Sequence, residues 1–337
     1  MPAKGLQPMP LEGRRVLVTG AGGFIGSHLA AALVRTGARV TALTHYSSRE
    51  DDANLDALDS EVRQAITVVR ADILDPHALR RITRGQEIVF HLAAQIAIPY
   101  SYLSPQIFLE TNAGGTLHVM EAALANDVTR VLHTSTSEVY GTAQYTPIDE
   151  AHPLQAQSPY AASKIAADKL AESFHRSFGL PVVTIRPFNT FGPRQSSRAI
   201  VPTIIGQLAS GASCLRLGSL EPVRDLNFVS DTVSGYVHLA QADDVVGHVF
   251  NLGSGVGVSI GDLSRRIMRV AGREVPIECE SERLRPGASE VFELVCDSRR
   301  AQAAGWQPVV SLDDGLRRTW EYVTRDPAAL RTAAFRA

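Results

Sequence analysis

Short runs of β-branched and aliphatic residues recur along the first half of the chain, separated by stretches of helical pattern. Such alternation predicts strand–helix–strand units, and therefore a parallel sheet covered by helices on both faces. Strands are expected at residues 15–19, 39–44, 65–70, 88–93, 130–135 and 181–186. A helix is predicted over 24–36, stopped by Gly37, and a long one over 159–178. Beyond residue 186 glycine and proline become frequent, and helices predicted over 201–210, 230–241, 260–271 and 312–323 mix with short strands. The expected architecture is a doubly wound α/β domain over 14–186. A smaller lobe over 187–337 interleaves with the last strands of the sheet, and residues 1–13 form a flexible tail.

Composition narrows the function. The 337 residues, 45% of them hydrophobic, suffice for one large domain plus a smaller lobe. A formal net charge of −2 without a basic run argues against nucleic acid or a membrane surface as partner. No apolar stretch approaches the ~20 residues that span a bilayer, and the first 13 residues lack the pattern of a secretion signal. Cys214, Cys279 and Cys296 are too few and scattered for a disulfide framework and lack metal-ligand spacing. A cytoplasmic protein without a metal is expected.

Three constellations carry candidate chemistry. The stretch from Thr19 to Gly26 sets Gly20, Gly23 and Gly26 between the first strand and the first helix. Glycines there let the backbone turn tightly and approach a pyrophosphate, which the helix N-terminus stabilises through free N–H groups and its dipole. The spacing is Gly-x-x-Gly-x-x-Gly rather than Gly-x-Gly-x-x-Gly. Tyr160 and Lys164 stand four apart on a predicted helix and share a face. A nearby ammonium favours phenolate and makes the tyrosine a better general base. Thr136, Ser137 and Glu138 follow the fifth strand, at the carboxyl edge where open α/β sheets bind ligands.

In this order the motifs resemble the extended short-chain dehydrogenase/reductases, the NAD-dependent epimerase/dehydratase family, and the likeness runs from Arg15 to about Val323. It includes Asp72-Ile73, His91-Leu92-Ala93-Ala94, the run Asn112 to Thr116, Arg186 to Asn189, Arg224-Asp225 with Asp231, and Arg285-Pro286-Gly287. The resemblance implies a Rossmann-like sheet with a C-terminal substrate-binding lobe, a tightly bound and recycled NAD, and a nucleotide-sugar substrate. It implies that Gly20, Gly23, Phe24, Ile25 and Gly26 line the cofactor pyrophosphate. Asp72 and Ile73 would hold its adenine, and Leu92, Ala93 and Ala94 its centre. Lys164 would bond the nicotinamide ribose and keep Tyr160 acidic, while Thr136 would hydrogen-bond the sugar O4. Asn189 and Arg224 would meet the substrate phosphates, joined by Arg285, with Tyr100 and Arg194 as further substrate contacts. Relatives commonly dimerise through two long helices, here the one after Asn112 and the one carrying Tyr160. One departure stands out. Where NAD-specific relatives carry an acidic residue at the end of the second strand, this chain has Thr44-His45. Ser47, Ser48 and Arg49 follow, which leaves NADP open as the cofactor.

The shared first step of that family is oxidation at C4 of the sugar. A 4-epimerase then returns the hydride to the other face and needs no further base. A 4,6-dehydratase needs a base at C5, and Glu138 is placed to be one; Ser137 stands where some dehydratases carry an aspartic acid. The stretches from Gln95 to Tyr102, His133 to Glu138, Tyr140 to Tyr145 and Asn189 to Ser196 are similar to nucleotide-N-acetylglucosamine 4,6-dehydratases of legionaminic acid synthesis. Dehydration of a UDP- or GDP-linked hexose or N-acetylhexosamine is therefore the leading expectation. UDP-sugar 4-epimerisation and UDP-glucuronate decarboxylation are the alternatives, the latter sharing the Ser-Glu-Val-Tyr-Gly string. A non-catalytic cofactor-binding protein is disfavoured because Tyr160 and Lys164 are both present.

Overall fold

The computed structural model describes residues 10–46 and 51–325. Six strands, β1 (Arg15–Thr19), β2 (Arg39–Thr44), β3 (Ile66–Arg70), β4 (Ile88–His91), β5 (Arg130–Thr134) and β6 (Val182–Pro187), build the central sheet. Val249–Leu252 completes it beside β6, in the order β3-β2-β1-β4-β5-β6-(Val249–Leu252), and every pairing is parallel. The strand order reverses between β1 and β4, which opens a crevice at their carboxyl ends.

Strand periodicity assigns the two faces. Val16 and Val18 of β1 join Phe90, Leu132, Val183 and Ile185 in one buried cluster, with Leu29 and Leu33 of Phe24–Arg35 and Tyr236 of Val229–Gln241. Leu17, Val89, Val131 and Val182 point the other way, against Val119 and Met120 of Gly115–Ala125 and Ala171 of Pro159–Phe178. Both faces are covered, so the strands read as continuous apolar runs. The long helix starts where the Ser158 hydroxyl caps the Ala161 amide and Pro159 occupies the first turn. It ends at Gly179 with φ 70°, a left-handed stop.

The rest of the chain makes a smaller sheet in which Val223–Phe228 pairs with Asn189–Phe191, Gly257–Ser259 and Glu293–Leu294. A two-stranded pair joins Leu215–Leu217 to Ile277–Cys279.

The structure departs from expectation in three places. Leu11, assigned to the tail, is 1% exposed and belongs to the first core cluster, so the ordered chain begins before residue 14. The fourth strand stops at His91 because the Leu92 and Ala93 amides turn onto Thr19 Oγ1. Residues 98–114, given no strong pattern, form Ile98–Leu103, Pro105–Phe108 and a wide π-helical turn, Leu109–Gly114, that runs into Gly115–Ala125. At the join a Cβ on Gly115 would come within 2.4 Å of Ile73 Cδ1, so any larger residue there would have to displace the Ile73 side chain.

Candidate active site

The glycine turn lies at the reversal of strand order. Gly20 has φ +69°, and a Cβ there would lie 2.8 Å from the Ala93 nitrogen; one on Gly26 would meet the Gly20 carbonyl oxygen at 2.2 Å. These glycines let the turn, the loop after β4 and the first helix close on one another. No side chain caps the helix at Gly23, which leaves the N–H groups of its first turn without a side-chain acceptor and suited to an anion. The residues present thus fit a dinucleotide pyrophosphate.

From this turn a chain of buried hydrogen bonds leads to the tyrosine helix. Thr19 Oγ1 bonds His91 Nδ1 at 2.9 Å, and His91 Nε2 lies 3.0 Å from Thr116 Oγ1, which donates to the Asn112 carbonyl. Asn112 holds the backbone of Gln95 with both amide atoms and donates to Ser163 Oγ at 2.9 Å. Ser163 Oγ in turn donates to the Tyr160 carbonyl at 2.7 Å. The motif residues Asn112 and Thr116 are therefore struts that fix the glycine turn relative to Tyr160.

Tyr160, Thr136, Glu138 and Lys164 converge. Burial, the largest influence, pushes the Tyr160 phenol well above its usual range; a hydrogen bond with Thr136 opposes this, and the Glu138 charge adds to it. Lys164 is buried and donates to the Thr134 carbonyl at 2.6 Å. Desolvation lowers its pKa to about 8, with Asp168 pulling the other way. The ammonium is thus turned onto the strand end rather than the phenol. Thr136 Oγ1 also accepts from the Glu138 amide, opening the short turn Ser137–Tyr140 that aims Glu138. Ser137 is buried beside it.

Beneath this group lies a charged network that motif reading missed. The Asp168 carboxylate, one turn beyond Lys164, accepts from His133 Nε2 at 3.0 Å, Ser135 Oγ at 2.8 Å and Arg186 Nη2 at 2.9 Å. Burial opposes its charge, but His133, Arg186 and Lys164 outweigh burial and bring its pKa down to about 2. Arg186 also donates to the Tyr140 hydroxyl, which donates to Asn251 Oδ1 at 2.7 Å. The strand end bearing Thr134 to Thr136 is therefore clamped from below.

Across the crevice the smaller lobe presents two arginines. Arg224 is buried and reaches Glu290 Oε1 at 3.3 Å. Arg285 Nη1 lies 3.8 Å from the same carboxylate and 4.0 Å from Glu138 Oε2, and has no hydrogen-bond partner. Asn189 Oδ1 is likewise buried without one. Spacing alone did not single out Glu290.

The remaining candidates divide. Thr44 and His45 end β2 beside Asp72, with His45 Nδ1 3.8 Å from Asp72 Oδ2, and Ile73 packs at the start of the Gly115 helix. Arg49 lies outside the described residues. The nearby buried carboxylate is Asp52, held by Arg63 and by Arg70 at 2.6 Å, on a segment whose Asn54 amide bonds the Gly22 carbonyl. The Tyr100 ring lies tilted against Phe108 at 6.0 Å, and Phe108 meets the Tyr160 ring edge-on at 6.3 Å. Arg194 stands apart from Arg224 and Arg285: its Nε donates to His28 Nε2 at 3.2 Å, on the helix that follows the glycine turn.

Comparison with known proteins places this geometry. The family described as GDP-mannose 4,6 dehydratase matches residues 17–319. The chain is 35% identical over 309 residues to a dTDP-glucose 4,6-dehydratase of Streptomyces griseus, covering 90% of this chain and 92% of that one. It is 34% identical over 314 residues to a UDP-glucose 4-epimerase of Mycolicibacterium smegmatis, covering 91% and 98%. The dTDP-glucose 4,6-dehydratase DesIV of Streptomyces venezuelae, solved with NAD bound, superposes with a TM-score of 0.85 at 29% identity, covering 95% and 99%. The chain belongs to the GDP-mannose 4,6-dehydratase family, and is an enzyme of nucleotide-sugar chemistry on the extended short-chain dehydrogenase/reductase fold.

Proposed function

We propose that this enzyme is an NAD-dependent nucleotide-sugar 4,6-dehydratase acting on a hexose or N-acetylhexosamine carried by a nucleoside diphosphate. The observation that carries the reading is the carboxylate of Glu138, in one pocket with the Tyr160 phenol and within 4.0 Å of an arginine of the opposite lobe. A 4-epimerase has no use for that carboxylate. A dehydratase needs a base at C5.

When bound, oxidised NAD would supply the hydride acceptor for C4 and the hydride returned to C6. The chain's own groups do the rest. Thr136 hydrogen-bonds the phenol and orients O4 toward it. Tyr160 takes the O4 proton, and Lys164, charged at neutral pH with its pKa near 8, favours the phenolate. The 4-ketone acidifies the C5 hydrogen because the carbanion is an enolate. Glu138 then removes that proton and passes a proton to the C6 hydroxyl, which departs as water; once hydride returns to C6, a proton from solvent restores C5. Arg224, Arg285 and Asn189 hold the diphosphate, since guanidinium forks give bidentate, charge-assisted bonds.

A homodimer is part of the reading. Leu103 and Leu109, 72% and 56% exposed, mark an apolar surface beside the helices of the active site, which a second copy would cover. Three free cysteines suit a reducing cytoplasm.

The test is nuclear magnetic resonance of reactions with dTDP-glucose, UDP- and GDP-N-acetylglucosamine, UDP-glucuronate and UDP-galactose. A 4-keto-6-deoxy product is expected. A C4 epimer or carbon dioxide would assign the reaction to the epimerases or decarboxylases instead.

A further inference from the structure

The end of β2 departs from the pattern that selects NAD. In enzymes that hold NAD an acidic side chain at this place accepts the adenosine ribose hydroxyls, and its charge repels the 2′-phosphate of NADP. Here Thr44 takes the place; it is 7% exposed, and its Oγ1 finds no hydrogen-bond partner. A buried hydroxyl left unpaired is costly unless a ligand supplies the partner. Thr44 stands against the glycine turn: a Cβ on Gly22 would lie 3.4 Å from Thr44 Cγ2 and 3.5 Å from the Asp52 carbonyl oxygen.

Charge on this side of the turn suits an anion. Thr44 pairs in register with Arg70 of β3, so the two side chains leave the sheet on the same face. Arg70 donates through Nη2 to Asp52 Oδ1 at 2.6 Å, and its side chain is 42% exposed. It engages Asp52 through one nitrogen, so a guanidinium with five N–H donors keeps others for a second acceptor. Asp52 does not depend on Arg70 alone. Arg63 bonds its other oxygen and lies 3.6 Å from Asp56. The buried carboxylate is thereby neutralised from two sides. We propose that Thr44 and Arg70 form a receptor for the 2′-phosphate of the adenosine ribose, so that this chain binds NADP with an affinity comparable to that for NAD. Thr44 takes away the charge that would repel the phosphate and offers it a hydroxyl, and Arg70 supplies the counter-charge while Asp52 stays paired with Arg63. The inference rests on the reading of the glycine turn as a dinucleotide site.

Calorimetric titration of NAD and of NADP into the full chain, freed of nucleotide carried through purification, reads the ratio of the two dissociation constants. Wild type should hold the two within about tenfold of each other. Thr44→Asp restores the acid and should shift the ratio against NADP by about thirtyfold or more, because it sets like charges side by side. Arg70→Met keeps the length of the side chain and should shift the ratio the same way by about tenfold. Arg70→Lys keeps the charge but not the fork; it should fall between wild type and the methionine variant, and it serves if the latter does not fold. A wild type that binds NAD and holds NADP more than about tenfold more weakly would overturn the proposal. Variants that leave the ratio unchanged would overturn it too. Binding of neither dinucleotide would overturn the cofactor reading of the turn instead.

Discussion

Tyr160 carries a contradiction that fixes what a test should show. Burial holds its phenol protonated, yet the chemistry asks it to accept a proton. Its neighbours Thr136 and Lys164 have no other group to direct toward O4, so Tyr160→Phe should lower turnover by ~10²–10⁴ on every sugar. The variant should stay folded and keep its affinity for NAD. Turnover like wild type would remove Tyr160 from the mechanism. The proposed role of Arg224 lies with the other ligand: Arg224→Ala should raise KM steeply while NAD affinity holds, because it would strip a charge-assisted partner from the diphosphate. Calorimetry showing weaker NAD and unchanged nucleotide binding would assign Arg224 to the wrong ligand. Both residues were singled out from the sequence by the family resemblance, to which the i,i+4 spacing of Tyr160 and Lys164 added support. Glu290 was not, because its pairing with Arg224 depends on the fold bringing residues 224, 285 and 290 beside Glu138.

Among elements, the end of β5 and the helix Pro159–Phe178 form one unit, joined by Asp168 to His133, Ser135 and Arg186 and by Lys164 to Thr134. Asp168 also faces Lys164 on its own helix, and it raises that lysine's pKa against burial. Neutralising it removes the raising influence. The Lys164 proton should then be lost at lower pH, and the alkaline limb of kcat in Asp168→Asn should move down by about one pH unit. A limb that stays in place would mean that Asp168 only holds the structure. Sequence reading placed both elements, since a β-branched run and a long amphipathic pattern are local signals. The clamp between them escaped it, because the partners of Asp168 lie on β5 and β6. The π-helical turn Leu109–Gly114 escaped for another reason: Pro99 and Pro105 break its approach into pieces too short to show a period.

At the scale of the molecule, two histidines tie stability to pH. Burial, the leading cause for both, brings His28 down to about 4 and His91 well below its usual value, with Arg194 and His133 adding to the respective effects. Both are neutral in the fold, whereas the unfolded chain takes up their protons below about 6.5. Depressed folded pKa values mean that stability is intact above that pH and falls as pH drops toward 4. The decline is up to about 1.4 kcal/mol per pH unit for each withheld proton. Tm should therefore fall between pH 7 and 5, and fall less in His28→Gln; equal slopes would contradict this. The whole fold also sets the surroundings of Glu138, because Tyr160 comes from a helix of the large domain and Arg285 from the smaller lobe. The most direct measurement is the reaction of wild-type enzyme in D₂O, with the product read by nuclear magnetic resonance. Removal of the C5 proton by Glu138 predicts a 4-keto-6-deoxy sugar carrying deuterium at C5, and Glu138→Gln should lose that exchange while reduced cofactor accumulates. Product formed by wild type in D₂O with only protium at C5 would contradict the dehydratase account.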